Sequence, residues 1–140
     1  MKVNVSWIDN VNFVGKSESN HEVRMDGPED VGGKNKGMRP MELMLIGMGG
    51  CTSFDVVTIL KKSRQKIEGC EALVSADRSE SIPKVFTKIH IHFIVKGDNL
   101  DELVVDRAIK LSAEKYCSAT IMLSKSVAIT HDFEIIASRN

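Results

Sequence analysis

An α+β fold is predicted by three features of this 140-residue chain. Its first third alternates polar and apolar residues, a long uncharged apolar segment follows, and of three further alternating runs the last is set off by helical periodicity. No internal repeat, low-complexity tract or Pro/Ser linker gives a second domain a place to begin, so residues 1–140 are expected to form one domain. A chain of this length buries roughly two thirds of the surface exposed on unfolding, so neither a metal nor a disulfide framework is required.

The first strand is predicted from Val3, Val5 and Trp7, which share one face, and "NFVG" and "HEVRM" supply two more after polar turns. The segment "DGPEDVGGKNKGMR" has glycines, a proline and charges without a period, and is expected to be an exposed, adjustable loop. Pro40 suits the first turn of a helix, and from there to about Lys61 apolar residues cover most of the helical circumference. Such a helix is expected in the middle of the fold. Gly47, Gly49 and Gly50 each weaken it by about 1 kcal/mol relative to alanine, unless a second helix or subunit packs tightly against the bare backbone.

Two strands follow, "CEALVSADRS" and "VFTKIHIHFIV". The second places Thr87, Ile89, Ile91, Phe93 and Val95 on one face and Lys88, His90 and His92 on the other. "DNLDELVVDRAIKLSAEKY" is an amphipathic helix with Asn99 or Asp101 as its cap, and "CSATIMLSK" starts a short helix at Cys117 or Ser118. "SVAITHDFEII" closes the chain as a strand.

Nineteen basic residues balance nineteen acidic ones, and no like-charge block stands out. Nucleic acid and anionic membrane both need a concentrated positive field, so neither is an expected partner. The uncharged stretch from Leu43 to Phe54 is twelve residues long, short of the roughly 20 that a bilayer span needs, and is read as a core helix. The start "MKVNVSWIDN" lacks the basic-then-apolar pattern of a secretory leader, and the protein is expected in the cytosol.

Cys51, Cys70 and Cys117 are too few and too scattered for a disulfide scaffold, and none has zinc-ligand spacing with another Cys or His. A lone buried cysteine is ordinarily packing, and Cys70 is read that way. Cys117 differs, because a helix start and nearby Lys115 both favour thiolate. If Cys51 faces Cys117, the pair supplies a nucleophile and a resolving thiol without any cofactor. Asp55, one turn after Cys51, opposes a thiolate there unless it is itself paired. His90 and His92 share a strand face, but no further ligand has an evident claim, so a solvated face is expected and no metal.

"RPMELMLIGMGGC" leading a long helix, with "KYCSATIML" 66 residues on, resembles the OsmC/Ohr family of thiol-dependent hydroperoxide reductases over essentially the whole chain. "GGKNKGMRPMELML", "VFTKIHIHF" and "EKYCS" are most similar to its YhfA-like branch. The resemblance implies an OsmC-like fold in which a long central helix and a second helix pack against antiparallel sheets of an intertwined homodimer. It also implies a thiol peroxidase acting in oxidative stress. By the same resemblance, Cys51 is expected to attack an organic hydroperoxide, Cys117 to resolve the sulfenic acid as a disulfide, and an external dithiol to reset the pair.

Family peroxidases hold the thiolate with an early-strand arginine and with the glutamate of an Asn-Pro-Glu segment, which here reads Arg39-Pro40-Met41. Glu42 lies nine residues before Cys51, about 180° around a regular helix, which leaves it to a cap or a partner chain. "NFVGKSES" has no arginine, so Lys16, Arg24, Lys34 and Arg39 are the replacements, with Arg39 ranked first for its place just before the helix. Ser118 stands where many members have proline. Two rivals remain: an apolar-ligand binding protein with a cavity lined by Met41, Met44, Met48, Phe54 and Met122, and a structural dimer with relic cysteines.

Overall fold

The computed structural model describes residues 1–138 and has two compact units, Met1–Leu45 and Ile46–Asn140. The N-terminal unit is a three-stranded antiparallel sheet, β1 (Val3–Asp9), β2 (Asn12–Ser17) and β3 (Glu22–Asp26), in the order β1-β2-β3. The following glycine-rich segment is more fixed than its composition predicts. It contains a 3-10 turn at Glu29–Val31, and Met38 returns to bridge Met25. Asp26 holds it: the buried carboxylate accepts backbone N–H bonds from Lys34 (3.0 Å) and Lys36 (3.1 Å), which keep its pKa below the ordinary 3.8.

Helix α1 (Pro40–Lys62) begins where the proline predicts. Glu42 caps it by accepting the Arg39 N–H at 2.8 Å, half of a capping box. Its buried positions Met48, Gly49, Thr52, Val56 and Leu60 form one helical stripe, while Ile46 and Phe54 are 53 % and 71 % exposed. Within this chain α1 packs along one face and presents a second apolar face outward. At Gly49 the close approach is real, since a Cβ there would meet Val74 Cγ2 at 3.3 Å, whereas Gly47 and Gly50 face open space. By length and composition α1 is apolar enough to cross a bilayer, yet its stripe is packed in the protein core.

The second sheet has the order β4-β5-β6, with β4 (Lys66–Arg78), β5 (Phe86–Asp98) and β6 (Ala128–Ala137). β5 is central and buries Ile89, Ile91, Phe93 and Val95. Full burial of such side chains is worth about 1.5–3 kcal/mol each. A bulge opposite Asp77/Arg78 shifts the alternation, so Phe86 turns inward and Thr87, expected on the core face, is exposed. β4 pairs antiparallel with β5, but β6 joins parallel. A parallel neighbour needs a long crossover, and here the crossover carries helices α2 (Glu102–Leu111) and α3 (Ser118–Leu123). Asp101, not Asn99, caps α2, accepting from Leu103 N (2.9 Å) and Val104 N (3.4 Å). The α-helix stops at Leu111 rather than running to Tyr116, and residues Ser112–Tyr116 form a π-turn.

The face of β5 opposite the core is not simply solvated. His90 reaches Thr130 and Asp132 at 2.7 and 2.9 Å, and His92 reaches Asp132 and Glu134 at 2.7 and 3.2 Å, lacing β5 to β6. Asp132 and Glu134 are the carboxylates that the sequence did not connect to these histidines. Among the described residues, no group of three or more His, Cys, Asp or Glu is arranged to hold a metal ion. Hydrogen bonds to Asp132 and then Glu134 raise the His92 pKa above 6.5. A raised pKa contributes stability that is complete below the unfolded value and lost as pH rises through the folded one. Denaturant midpoints measured across this range should therefore fall with rising pH, and His92→Gln should flatten the fall. An equal slope in the variant would show that the ladder does not couple to folding.

Candidate functional site

Two of the predicted residues come together within the Ile46–Asn140 unit. Cys51 lies mid-way along α1 and is half-buried, while Cys117 is fully buried at the N-cap of α3. All three cysteines are free thiols, and the Cys51 thiol is close enough to Cys117 to bear on its proton by hydrogen bond and by charge.

The π-turn sets the direction of Cys117. Its N–H donates to Ser112 O at 2.8 Å, five residues back, and the backbone then turns extended (φ −76°, ψ 102°) before α3 starts. Insertions of this type occur frequently at functional sites. Thr120 donates to Cys117 Sγ twice, from Oγ1 at 3.1 Å and from N at 3.4 Å.

The electrostatics differ from the sequence expectation. A helix start and Lys115 were expected to favour the Cys117 thiolate. Burial instead pushes the Cys117 thiol above 9.0, Thr120 opposes that shift, and neighbouring Cys51 adds to it. Lys115 lies over the Tyr116 ring, 5.5 Å from its centroid. Burial thus opposes the charged form of Cys117, while two donors are already aimed at its sulfur.

Asp55 does not stand as a bare charge one turn beyond Cys51, since Ser112 Oγ donates to Asp55 Oδ2 at 2.9 Å. Ser112 Oγ also lies 2.8 Å from Thr52 Oγ1. Neither Ser112 nor Thr52 was identified from the sequence. The signal was present, because Ser112 follows Val105, Ala108 and Ile109 in the buried stripe of α2, and Thr52 lies in that of α1. A polar residue at a core position must find a partner.

Arg39 belongs to the N-terminal unit, where its Nη1 donates to Asp26 O and Gly37 O, both at 3.5 Å. Cys70, read as structural, is half-buried on β4. Burial raises its pKa, and a hydrogen bond with Ser53 partly offsets this. Of the residues suggested for an apolar cavity, Met48 is core, whereas Phe54 lines a recess of about 470 Å3 with Ile59, Leu111 and Tyr116.

Residues 33–132 match the family described as OsmC-like protein. The chain is 44 % identical over 138 residues to protein YhfA of Escherichia coli (strain K12), covering 99 % of this chain and 100 % of the relative. A hypothetical protein from Aquifex aeolicus VF5 is similar in structure, with TM-score 0.86, 30 % identity, and coverage of 99 % and 97 % of the two chains. The organic hydroperoxide resistance protein OhrB of Bacillus subtilis shares the fold at TM-score 0.64 and 18 % identity, with 95 % and 96 % covered.

Replacing Thr120 by valine removes the Oγ1 donor that holds the Cys117 pKa down. Titration of thiolate absorbance in a Cys51→Ser/Cys70→Ser background should show the Cys117 pKa moving further up. An unchanged titration would show that the hydroxyl contributes nothing at the sulfur.

Proposed function

Because the chain belongs to the OsmC-like family, we propose that it is a cytosolic thiol-dependent redox protein that reduces organic hydroperoxides. Residues 1–140 are taken as one OsmC-like domain. The observation that carries this reading is the asymmetric thiol pair: half-exposed Cys51 beside buried Cys117. The name of the Bacillus subtilis protein that shares the fold supports the choice of substrate class.

The Cys51 thiolate attacks the terminal oxygen of the hydroperoxide. The O–O bond breaks, the alkoxide takes up a proton as alcohol, and Cys51 becomes a sulfenic acid. The Cys117 sulfur then attacks the Cys51 sulfur. Hydroxide leaves and combines with the Cys117 proton as water, and a disulfide remains. The two Thr120 donors suit Cys117 to bear transient negative charge in this step. An external dithiol returns both thiols by exchange and is itself oxidised. The chemistry uses no cofactor or metal.

A homodimer completes the proposal. Ile46 and Phe54 are exposed on α1, Val3, Val5 and Trp7 are 72 %, 58 % and 66 % exposed on β1, and Gly47 and Gly50 have no neighbour where a Cβ would go. Apolar side chains left bare on two elements suit a subunit interface. Arg39, the cation directly before α1, is proposed as the electrostatic helper of Cys51. The second reading, a binding protein for an apolar ligand, rests on the recess lined by Phe54, Leu111 and Tyr116.

One equivalent of an organic hydroperoxide should remove two thiols rapidly and leave a Cys51–Cys117 linkage in peptide mapping. Cys51→Ser should abolish turnover, and Arg39→Ala should slow the first step on the order of tenfold, as expected when about 1.4 kcal/mol of charge stabilisation is lost. Undiminished turnover in Cys51→Ser would sink the peroxidase reading. In sedimentation, Phe54→Arg should shift a dimer toward monomer.

A further inference from the structure

We propose that Ser112 is a positioning residue that sets the approach of Cys117 to Cys51, acting as a two-sided anchor between α1 and the π-turn. The inference builds on the assignment of these cysteines as a redox pair, but its geometry stands on separate observations.

Ser112 is fully buried, and so nearly is Thr52, at 2 % exposure. Their hydrogen bonds can be assigned from their chemistry. A carboxylate only accepts, so the single Ser112 hydroxyl proton goes to Asp55 Oδ2 at 2.9 Å, with Thr52 O at 3.4 Å as a weaker second direction. The Thr52 hydroxyl must then donate to Ser112 Oγ, at 2.8 Å. On its other side Ser112 accepts the Cys117 N–H at 2.8 Å.

Thr52 is the residue after Cys51, so the path from one thiol to the other is short. It runs from the Cys51 backbone to Thr52, through Oγ1 to Ser112, and from the Ser112 carbonyl to the Cys117 amide. The side chain of Ser112 fixes where the π-turn sits on α1, and its carbonyl fixes where Cys117 leaves that turn. Buried polar links of this type permit few alternative arrangements, because slipping the turn along α1 would strand three polar groups without partners. A disulfide needs its two Cα atoms within about 4.4–6.8 Å, so loosening this anchor lowers the fraction of molecules ready to close.

The test is the effective concentration of the two thiols for each other. The folded protein is equilibrated with reduced and oxidised glutathione, and the Cys51–Cys117 disulfide is quantified in a Cys70→Ser background. In this exchange two protein thiols are oxidised while one oxidised glutathione is reduced to two thiols, so no hydroperoxide is involved. Ser112→Ala should lower the effective concentration at least tenfold. Thr52→Val should lower it also, and Thr52→Ser, which keeps the hydroxyl, should recover it. Should Ser112→Ala fail to fold, the Thr52→Val and Thr52→Ser pair decides.

Values within twofold of the parent in folded Ser112→Ala or Thr52→Val would overturn the positioning role. So would a loss in Thr52→Val that Thr52→Ser does not recover. A parent protein inert to hydroperoxide, yet sensitive to these substitutions in glutathione, would overturn the peroxidase reading and leave the anchor standing.

Discussion

The close seating of α1 on the second sheet is the constraint on which the thiol pair depends. Met48, Val56 and Leu60 are fully buried in the stripe that makes this contact, and Gly49 lets the helix backbone come within van der Waals reach of Val74 on β4. An alanine at that position would press on the valine at 3.3 Å, a separation at which one of the two must shift. The same stripe includes Thr52, so apolar packing and the polar link to Ser112 are set by one helix orientation. Rotating α1 to relieve one would disturb the other.

Local chemistry distinguishes the surroundings of the three thiols. Each is some distance into the fold, but only Cys117 has two donors on its sulfur and a second thiol beside it. Burial opposes the charged form of both Cys117 and Cys70, and at Cys70 Glu71 adds to that opposition. The glycine-rich segment obeys a similar logic in the N-terminal unit. Its order comes from one buried carboxylate that collects two backbone amides, which glycine content does not reveal.

What the sequence made legible follows the range of each interaction. Pro40, the apolar run after it and the Asp101 cap act within a turn or two, and α1 and α2 begin where these residues place them. The nearness of Cys51 to Cys117 had no local signal in the sequence and was expected only from family resemblance. The π-turn was not legible, because "LSAEKY" keeps a helical pattern whether the bond spans four residues or five. The partners of His90 and His92 were hidden for another reason. Asp132 and Glu134 reach them only through the parallel register of β6, about forty residues along the chain, and local alternation carries no register. What covers the outward apolar face of α1 was not legible, because periodicity reports which residues avoid water and not what covers them.

The parallel entry of β6 bears on folding. Cys117 lies on the crossover between β5 and β6, so its segment is tied down at both ends only after the last strand has emerged and paired. Pairings between distant segments are the slow contacts of a folding chain. The crossover that carries Cys117 thus closes through one of the slow, long-range pairings of this fold.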